Sequence, residues 1–576
     1  MKIILAAINA KFTHSNLAVR YLKEYTEKYS SFDIITAEYT INQSTDFILS
    51  SLYEKSPDIL GFSCYIWNIE LVKSIAVEIK KLLPNLKIIL GGPEASYNAF
   101  NIMQNLKQID SIIKGEGEVP FLKLLDAFRD NSPLSDISSI VYRHNAEIIE
   151  NDSGSVIQLD EIPFPYPDFR GLDNKIIYYE SSRGCPYKCS YCLSSVEHRV
   201  RFRSVDIVFS ELKRFLDAKV IQVKFVDRTF NCNKKNALEI FSYLIENDNG
   251  FTNFHFEICA SLVDDDYIEV LKKARKGLFQ FEIGIQSTNS QTLDAIGRNQ
   301  DYIKTADAVK KLNSLGLFHI HLDLISGLPF EDYQSFKNSF NDVIKLSPNM
   351  LQLGFLKLLH GSRLRAEAEN FGIIYRSYPP YEILSTPWLS YDDILQLKEI
   401  EEVLENYYNS GRFNSSLKYM FTLFDSAFDF FESLACYFKN SGLFLTHHSK
   451  LDYYRFLFDF AVNNTNADKI IIANLLRHDM FSHKKEKNYP EFLDTSNTTP
   501  EYRSSIMEFY KKEENILKYL NNLISYDVKQ IYRMANIQIY PFDVTSDKYT
   551  AQQTAVLYDY SKSNLNTNNN FQVIEL

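Results

Sequence analysis

The chain has 576 residues, of which 45% are hydrophobic and 23% are charged, and its formal net charge is −11. These are the proportions of an ordinary globular protein, and the length allows three or four domains of about 150 residues each. The acidic balance argues against a broad nucleic-acid-binding surface, and the sequence has no stretch of about 18 uncharged apolar residues such as a transmembrane helix needs.

The first apolar run, Ile3–Ile8, is too short to span a membrane and lacks a secretion-type cleavage pattern. Seven cysteines in a chain of this length are sparse and odd in number, which suits a reducing compartment better than a disulfide framework. We therefore expect a cytoplasmic protein.

Residues 1–135 alternate short apolar runs with amphipathic helices, the clearest of them over 71–83. Buried strands joined by helical crossovers predict a Rossmann-like parallel sheet, which binds ligands at the carboxyl ends of its strands. The five predicted strands are Ile3–Ile8, Ile34–Ala37, Ile59–Ser63, Ile88–Leu90 and Ser111–Ile113.

Three loops follow strands three to five at this end of the sheet: 61–67 with the sequence GFSCYIW, 90–95 with LGGPEA, and 114–118 with KGEGE. Paired glycines let a bulky ligand approach the backbone closely. The arrangement resembles cobalamin-binding domains, and GEGE is typical of those fused ahead of radical S-adenosylmethionine (SAM) barrels. The cobalamin-binding residues that this resemblance implies are Asn9, His14, Ser63, Tyr65, Trp67, Gly91, Gly92, Pro93, Glu94, Gly115, Glu116 and Gly117.

The loop after the first strand departs from one cobalamin pattern. Mutases and methionine synthases carry Asp-x-His-x-x-Gly there, and its histidine binds cobalt. Here the loop reads NAKFTHSN over 9–16, so His14 ligates cobalt, contacts the substrate or caps the first helix. Absence of the motif that fixes such an imidazole favours no histidine ligation. A plain nucleotide-binding or flavodoxin-like sheet is the alternative for this domain, although no GxGxxG follows the first strand.

Residues 136–175 are expected to form a linker, with a small hairpin at Ile140–His144 and Ile148–Glu150 and a proline-stiffened run at 159–167. From residue 176 the strand–helix alternation resumes. Six such units predict a partial (β/α)6 TIM barrel over 176–384, with its chemistry at the strand carboxyl ends. The predicted strands are Ile176–Tyr179, Ile221–Val226, Phe254–Ile258, Phe279–Ile285, Phe318–Ile325 and Leu351–Leu359.

Cys185, Cys189 and Cys192 follow the first barrel strand with the spacing CxxxCxxC. Three thiolates this close can hold three irons of a [4Fe–4S] cluster and leave the fourth iron open to a small molecule. A structural zinc site would require a fourth ligand at zinc-finger distance, and none follows.

The cysteine loop and later strand ends together resemble a radical SAM domain. The later motifs are VKFVDRTFN over 223–231, FEIGIQS over 281–287, LDLISGLP over 322–329 and LKLLHGS over 356–362. The resemblance implies a [4Fe–4S] cluster whose open iron binds SAM, and reductive cleavage of SAM to a 5′-deoxyadenosyl radical. Its implied SAM-binding residues are Tyr191, Asp227, Glu257, Gln286, Ser287, Arg298 and Asp323. For each, the alternative is a strand residue that caps a helix or pairs locally.

Residues 385–576 predict a mostly helical domain rich in Phe and Tyr, resembling an uncharacterised domain that accompanies cobalamin radical SAM proteins. Four helical segments and two short strands are predicted. They are Ile394–Tyr408, Leu417–Phe438, Tyr453–Phe460, Ser504–Tyr519, Ile537–Val544 and Ala555–Tyr560.

Together these resemblances imply a cobalamin-dependent radical SAM enzyme that methylates an unactivated carbon through methylcobalamin. Radical rearrangement or cyclisation without methyl transfer is the alternative. A tRNA methylthiotransferase would need more N-terminal cysteines than Cys64 and a basic nucleic-acid-binding tail. A cobalamin or redox sensor is a further alternative. The expected partners are a small-molecule, lipid or peptide substrate and an electron donor such as flavodoxin or ferredoxin, with nucleic acid disfavoured.

Overall fold

The structure is a computed structural model that describes residues 1–145, 147–196, 199–298, 300–486, 489–493, 500–546, 549, 552–561 and 570–576. The chain divides into two compact units, residues 1–336 with 354–391 and residues 337–353 with 392–576. None of the helices within the described ranges has the length and apolar character that a bilayer-spanning helix requires.

The first unit begins with a seven-stranded sheet, which confirms the predicted parallel strands. Its order is β2-β1-β3-β4-β5-β6-β7, with the first five strands parallel and the hairpin β6–β7 added antiparallel beside β5. The elements are β1 (Ile3–Asn9), α1 (Leu17–Tyr29), β2 (Ile34–Thr40), α2 (Thr45–Glu54), β3 (Ile59–Ser63), α3 (Ile69–Leu82), β4 (Lys87–Gly91), α4 (Pro93–Ser96), α5 (Ala99–Asn105), β5 (Ser111–Ile113), α6 (Glu118–Asp130), β6 (Ile140–His144) and β7 (Glu147–Glu150).

Helices cover both faces of this sheet, so successive residues of a strand enter different cores. In β1, Ile4, Ala6 and Ile8 join one buried cluster, whereas Ile3 and Leu5 join the other. Burial on both faces explains why these strands read as continuous apolar runs.

The second sheet has six strands in the order β15-β14-β13-β12-β11-β8, as predicted for a partial barrel. The elements from here to residue 385 are β8 (Ile176–Tyr179), β9 (Ser182–Arg183), β10 (Arg201–Phe202), α7 (Val205–Asp217), β11 (Gln222–Phe225), α8 (Lys234–Glu246), β12 (Asn253–Glu257), α9 (Asp265–Leu271), β13 (Phe279–Gln286), α10 (Ser290–Ala295), α11 (Tyr302–Ser314), β14 (His319–Ser326), α12 (Tyr333–Ile344), β15 (Met350–Phe355), α13 (Arg363–Ala366), β16 (Ile374–Tyr375) and β17 (Ile383–Ser385).

The barrel strands separate an aromatic face from a polar one. Phe256, Phe279 and Phe281 are fully buried and pack around Phe241 of α8. Alternate residues of the same strands are polar, and Gln222, for example, donates hydrogen bonds to Asn253 and Gln280. The interior of this barrel is therefore unusually hydrophilic, since such interiors are commonly filled by branched aliphatic side chains.

The second unit is mostly helical and ends in an antiparallel sheet, β18-β19-β20. Its elements are α14 (Tyr391–Leu404), α15 (Asn414–Phe421), α16 (Ala427–Asn440), α17 (Lys450–Asn464), α18 (Lys469–His483), α19 (Pro500–Lys511), α20 (Glu513–Tyr519), α21 (Val528–Met534), β18 (Ala535–Tyr540), β19 (Thr554–Asp559) and β20 (Phe571–Ile574).

Two predicted helices of this unit are wrong in extent. The segment 417–438 forms α15 and α16, because the Ser426 side chain accepts a hydrogen bond from Asp429 N and starts a new helix. The segment 504–519 likewise forms α19 and α20. The predicted strand pair is confirmed as β18 and β19, although β18 ends at Tyr540, before Pro541.

Candidate functional site

The three clustered cysteines line one cavity of about 180 Å³ at the end of the barrel strands. Cys185 Sγ lies 3.5 Å from Thr229 Oγ1, and Cys189 Sγ accepts a hydrogen bond of 3.6 Å from Arg298 Nη1. All seven cysteines of the chain are free. Three unpaired thiols open to a common cavity fit a cluster with three protein ligands.

A buried carboxylate holds the strand end that leads into the cysteine loop. Asp227 accepts hydrogen bonds from Ser181 N (2.9 Å), Ser181 Oγ (2.6 Å) and Ser182 Oγ (2.6 Å). Burial raises the pKa of Asp227 to about 6, against the lowering effect of these hydrogen bonds. Asp227 is not among the residues that line the cysteine cavity, and its carboxylate is bonded to the serines that lead into the cysteine loop.

Five of the seven predicted SAM-binding residues line the cysteine cavity: Tyr191, Glu257, Gln286, Arg298 and Asp323. Besides Asp227, the exception is Ser287. Its hydroxyl donates to Glu331 Oε1 at 2.5 Å and accepts from Asn289 N at 3.0 Å.

Gln286 has the features of a residue held ready for a ligand. Its φ of +72° lies in the left-handed region, and the register of β13 against β14 shifts between Gly284 and Gln286. Its Oε1 is buried and has no hydrogen-bond partner. Strained backbone and orphaned buried acceptors are concentrated at functional sites, so this oxygen fits a polar hydrogen of a bound SAM molecule.

A second cavity, of about 680 Å³, lies at the carboxyl ends of the N-terminal sheet strands. Ten of the twelve predicted cobalamin-binding residues line it: Asn9, His14, Ser63, Tyr65, Trp67, Gly91, Gly92, Gly115, Glu116 and Gly117. Pro93 and Glu94 are not among the lining residues. Glu94 is buried and accepts a hydrogen bond of 2.8 Å from Tyr381 OH. The cavity volume and the close backbone walls fit a bulky cofactor such as cobalamin.

His14 pairs with a barrel residue within this cavity. Its Nδ1 lies 2.5 Å from Tyr178 OH, and the two rings stack. Burial, assisted by nearby lysines, lowers the pKa of His14, so the imidazole is neutral near pH 7. The side chain that caps α1 is Asn16, which accepts from Val19 N, so the interpretation of His14 as a helix cap is wrong.

Two neighbouring glycines in the loop after β4 differ in the space that a Cβ atom would have. At Gly92, φ is +92°, and a Cβ atom would lie 2.6 Å from the backbone oxygen of Cys64. At Gly91, a Cβ atom would meet nothing within 4 Å. We expect Gly92→Ala to lower the free energy of unfolding by several kcal/mol. An alanine is strained at this positive φ, and its Cβ atom would clash with the backbone of Cys64.

The matched variant Gly91→Ala adds the same methyl group one residue earlier, directly into the cavity wall. We expect its stability to stay within about 0.5 kcal/mol of the parent while cobalamin binding weakens. Urea unfolding of the two variants, with a cobalamin titration followed by absorbance, checks both expectations. Equal stabilities for the two variants would contradict the steric assignment of Gly92.

A buried ion network connects the loop after β5 to the cysteine loop. Arg183 lies 3.3 Å from Glu116, 2.9 Å from Glu118 and 2.8 Å from Glu180. Arg201 adds a further contact to Glu116 and donates to Ile157 O at 2.6 Å. Glu116 therefore lines the larger cavity with its carboxylate engaged by two guanidinium groups, a pairing that the sequence alone did not predict.

The two cavities share two lining residues, Arg228 and Glu257, whose charged groups lie 3.9 Å apart. Arg228 was missed from sequence, although it directly follows Asp227 at a strand end. A substrate held beside this pair can face both cavities.

Family models match three successive parts of the chain. Residues 3–125 match the B12 binding domain, residues 179–343 match the radical SAM superfamily, and residues 369–558 match a protein of unknown function (DUF4080). The first two matches assign cobalamin, SAM and a [4Fe–4S] cluster as cofactors.

Known proteins resemble this combination. An uncharacterized methyltransferase of Pyrococcus horikoshii is 28% identical over 320 residues, which cover 54% of this chain and 68% of that protein. The cobalamin-dependent radical SAM methyltransferase TokK of Streptomyces tokunonensis is 24% identical over 57% of this chain and 51% of its own length. The chain thus spans about half of TokK.

A similar fold occurs in the cobalamin-dependent S-adenosylmethionine radical enzyme OxsB with aqua-cobalamin bound. The TM-score is 0.60 at 14% identity, and the match covers 91% of this chain and 85% of OxsB. The chain thus carries a B12 binding domain, a radical SAM domain and a DUF4080 domain in succession, and it is similar to cobalamin-dependent radical SAM proteins.

Proposed function

We propose that the protein is a cobalamin-dependent radical SAM methyltransferase that acts on an unactivated carbon. The observation that carries this proposal is that the cysteine cavity and the larger cavity share Arg228 and Glu257. A single substrate carbon beside this pair is within reach of both cofactor sites. Placing reacting groups next to each other accounts for a large part of enzymatic rate enhancement.

In this proposal each set of residues holds one cofactor. Cys185, Cys189 and Cys192 hold the cluster. SAM lies against Tyr191, Gln286 and Arg298, with the guanidinium as the cation for its carboxylate. Cobalamin lies in the larger cavity. When bound, these groups supply hydrogen-atom abstraction and a methyl donor.

The chain's own side chains orient the reactants and exclude water. Arg298 is fixed by hydrogen bonds to Tyr191 OH (3.3 Å), Gln300 Oε1 (2.9 Å) and Gly284 O. The stacked rings of Tyr65 and Trp67, 4.4 Å apart, form an apolar wall of the larger cavity. In this proposal His14 does not ligate cobalt, and its Nδ1 serves to position Tyr178.

The names of the relatives support methyl transfer, since the Pyrococcus protein and TokK are both called methyltransferases. Because the chain matches only part of their lengths, the substrate class stays open among small molecules, lipids and peptides. The electrons come from a donor such as flavodoxin or ferredoxin in this proposal. The domain over 385–576 is proposed to select the substrate.

Activity can be tested before the substrate is identified. The reconstituted enzyme is incubated, without oxygen, with SAM labelled on its methyl group, a reductant and an extract of cells that lack the gene. We expect 5′-deoxyadenosine and a labelled product in one fraction of the extract. The matched control is an extract of cells that retain the gene. Their substrate is already methylated, so it should accept less label.

Other outcomes identify the alternatives. Formation of 5′-deoxyadenosine with a changed but unlabelled product indicates rearrangement or cyclisation and contradicts methyl transfer. Absence of SAM cleavage in the fully loaded protein contradicts enzymatic activity and favours a sensor.

A further inference from the structure

The second compact unit contains a polar cavity of about 180 Å³, and none of the described residues that line it lines a cofactor cavity. Its wall is formed by the N-terminal part of α15, by α18, by the segment after β18 and by the start of β20. Lys418 and His483 line the cavity and are exposed, so it is open to solvent. Pockets for drug-sized ligands have volumes of about 300–1,000 Å³, so this one suits a smaller molecule.

Three consecutive polar residues of α18 are buried in this unit. Arg477, His478 and Asp479 are 0%, 1% and 3% exposed. Asp479 accepts hydrogen bonds from Ser415 N (2.9 Å), Ser416 N (2.8 Å) and Ser416 Oγ (2.6 Å). These bonds satisfy free backbone donors of α15 and hold the carboxylate at the positive end of that helix. The partners of Asp479 are therefore accounted for, whereas His478 uses only its Nδ1 among the described residues.

A chain of hydroxyl groups holds the His478 ring. Tyr540 OH lies 2.7 Å from Tyr558 OH, which lies 2.6 Å from His478 Nδ1. Burial raises the pKa of Tyr540 to about 12 and that of Tyr558 well above its usual value, so both hydroxyls are protonated. Arg477 lies over the far end of this chain, with its guanidinium carbon 4.4 Å from the centroid of the Tyr540 ring.

The direction of these hydrogen bonds follows from the hydrogens that are available. If Tyr540 donates to Tyr558 and Tyr558 donates to His478 Nδ1, each hydroxyl hydrogen has an acceptor. In the reverse direction, the hydroxyl hydrogen of Tyr540 would have no acceptor among the described residues and would lie beside the Arg477 cation. Burial lowers the pKa of His478 to about 4, so the ring is neutral near pH 7 and carries one hydrogen. With Nδ1 as an acceptor, that hydrogen is on Nε2.

We propose that this cavity binds a small organic carboxylate, with the His478 Nε2–H as the central donor. His478 lines the cavity, and its Nε2 donates to no acceptor within the described ranges. Buried donors normally have a partner, and a carboxylate oxygen makes a strong, charge-assisted hydrogen bond. Lys418 lines the same cavity and supplies a positive charge. Phe571, whose ring centroid lies 4.6 Å from that of His478, offers an apolar surface to the carbon skeleton of the ligand.

Asp479 also lines the cavity, but its charge does not make this a cation site. Its three hydrogen bonds and the amino end of α15 offset the negative charge. Burial lowers the pKa of His483, so this lining residue is neutral near pH 7. A cation would meet the ammonium of Lys418, whereas a carboxylate is attracted to it.

Acetate binding tests the proposal, which does not rest on methyl transfer. The full-length protein is loaded with cluster, SAM and hydroxocobalamin, so that the cofactor sites are filled. Acetate is titrated and its binding is followed by saturation-transfer NMR. We expect saturable binding, and at least fivefold weaker binding in His478→Phe and in Lys418→Gln. Tyr558→Phe keeps the ring but removes the hydroxyl that bonds to Nδ1, so its binding should also weaken.

Matched controls come from the same unit. Tyr408→Phe removes a hydroxyl that donates to Pro348 O at 2.6 Å, and Lys450→Gln removes an exposed charge outside the cavity lining. Both should bind acetate like the parent, and urea unfolding checks that every variant is folded. Absence of saturable acetate binding, equal affinity in the Lys418 and Lys450 variants, or tighter binding of methylammonium than of acetate would overturn the proposal. Since no turnover is measured, such a failure leaves the proposed function standing.

Discussion

Replacing Cys189 by alanine is expected to abolish cluster binding and lower SAM cleavage below detection. The thiol is buried in the cysteine cavity, and a cluster that has only three protein ligands depends on each of them. Iron and sulfide content, the visible absorbance of the cluster, and 5′-deoxyadenosine formation measure the effect.

The matched control for this variant is Cys436→Ala, since Cys436 is exposed and lies in the second compact unit. We expect it to retain the full cluster and full SAM cleavage. A Cys189→Ala protein that still cleaves SAM at the parent rate would refute the assignment of the cysteine cavity.

Replacing Arg183 by methionine is expected to lower the free energy of unfolding by about 3–5 kcal/mol, because it leaves buried carboxylates without their counter-charge. Glu118 and Glu180 both contact this guanidinium. Urea unfolding of the parent and the variant measures the difference. The variant is also expected to incorporate less iron, since Arg183 stands two residues before Cys185.

The loss of stability in the Arg183 variant should depend on pH in a defined direction. Burial would raise the pKa of Glu118, but Arg183 outweighs it and lowers the pKa below 4.5. Stabilisation from this group is complete above the unfolded pKa of about 4.5 and is lost as the pH falls through the folded pKa. The stability gap between parent and variant should therefore narrow below pH of about 4.5.

Arg129→Met is the matched control, because Arg129 also lies beside two carboxylates, Asp126 and Asp130, but on the exposed surface. We expect its unfolding midpoint in urea to equal that of the parent, since exposed ion pairs contribute little. If the two arginine variants unfold at the same urea concentration, the network around Arg183 is not a stabilising element.

The strands of both parallel sheets were predicted from their apolar residues, which are continuous in β1 and alternate with polar residues in β12 and β13. Periodicity failed for α18, where Ile472 through Phe481 are all buried, because the polar residues Asn474, Arg477, His478 and Asp479 are buried as well and do not mark an exposed face. It also merged α15 with α16, since Phe421 at the end of α15 and Phe424 in the break continue an apolar pattern into α16.

The motifs identified most of the candidate site residues. Loops at the carboxyl ends of parallel strands lie close together in the fold, however far apart they are along the chain. What a side chain faces within a loop was less predictable. Glu94 bonds to Tyr381, 287 positions away, and Asp227 bonds back to the serines of the cysteine loop. Such partners depend on packing between distant segments, which local sequence does not encode.

The contacts of Arg183 limit how this protein can be recombined with its relatives. Its guanidinium belongs to the radical SAM segment, whereas Glu116 and Glu118 come from the B12-binding segment. A chimera that exchanges one segment at a boundary near residue 150 would separate an arginine from the acids that neutralise it. We expect a chimera to fold well only if Arg183 and its acidic partners come from the same parent, so the two cofactor loops have to be exchanged together.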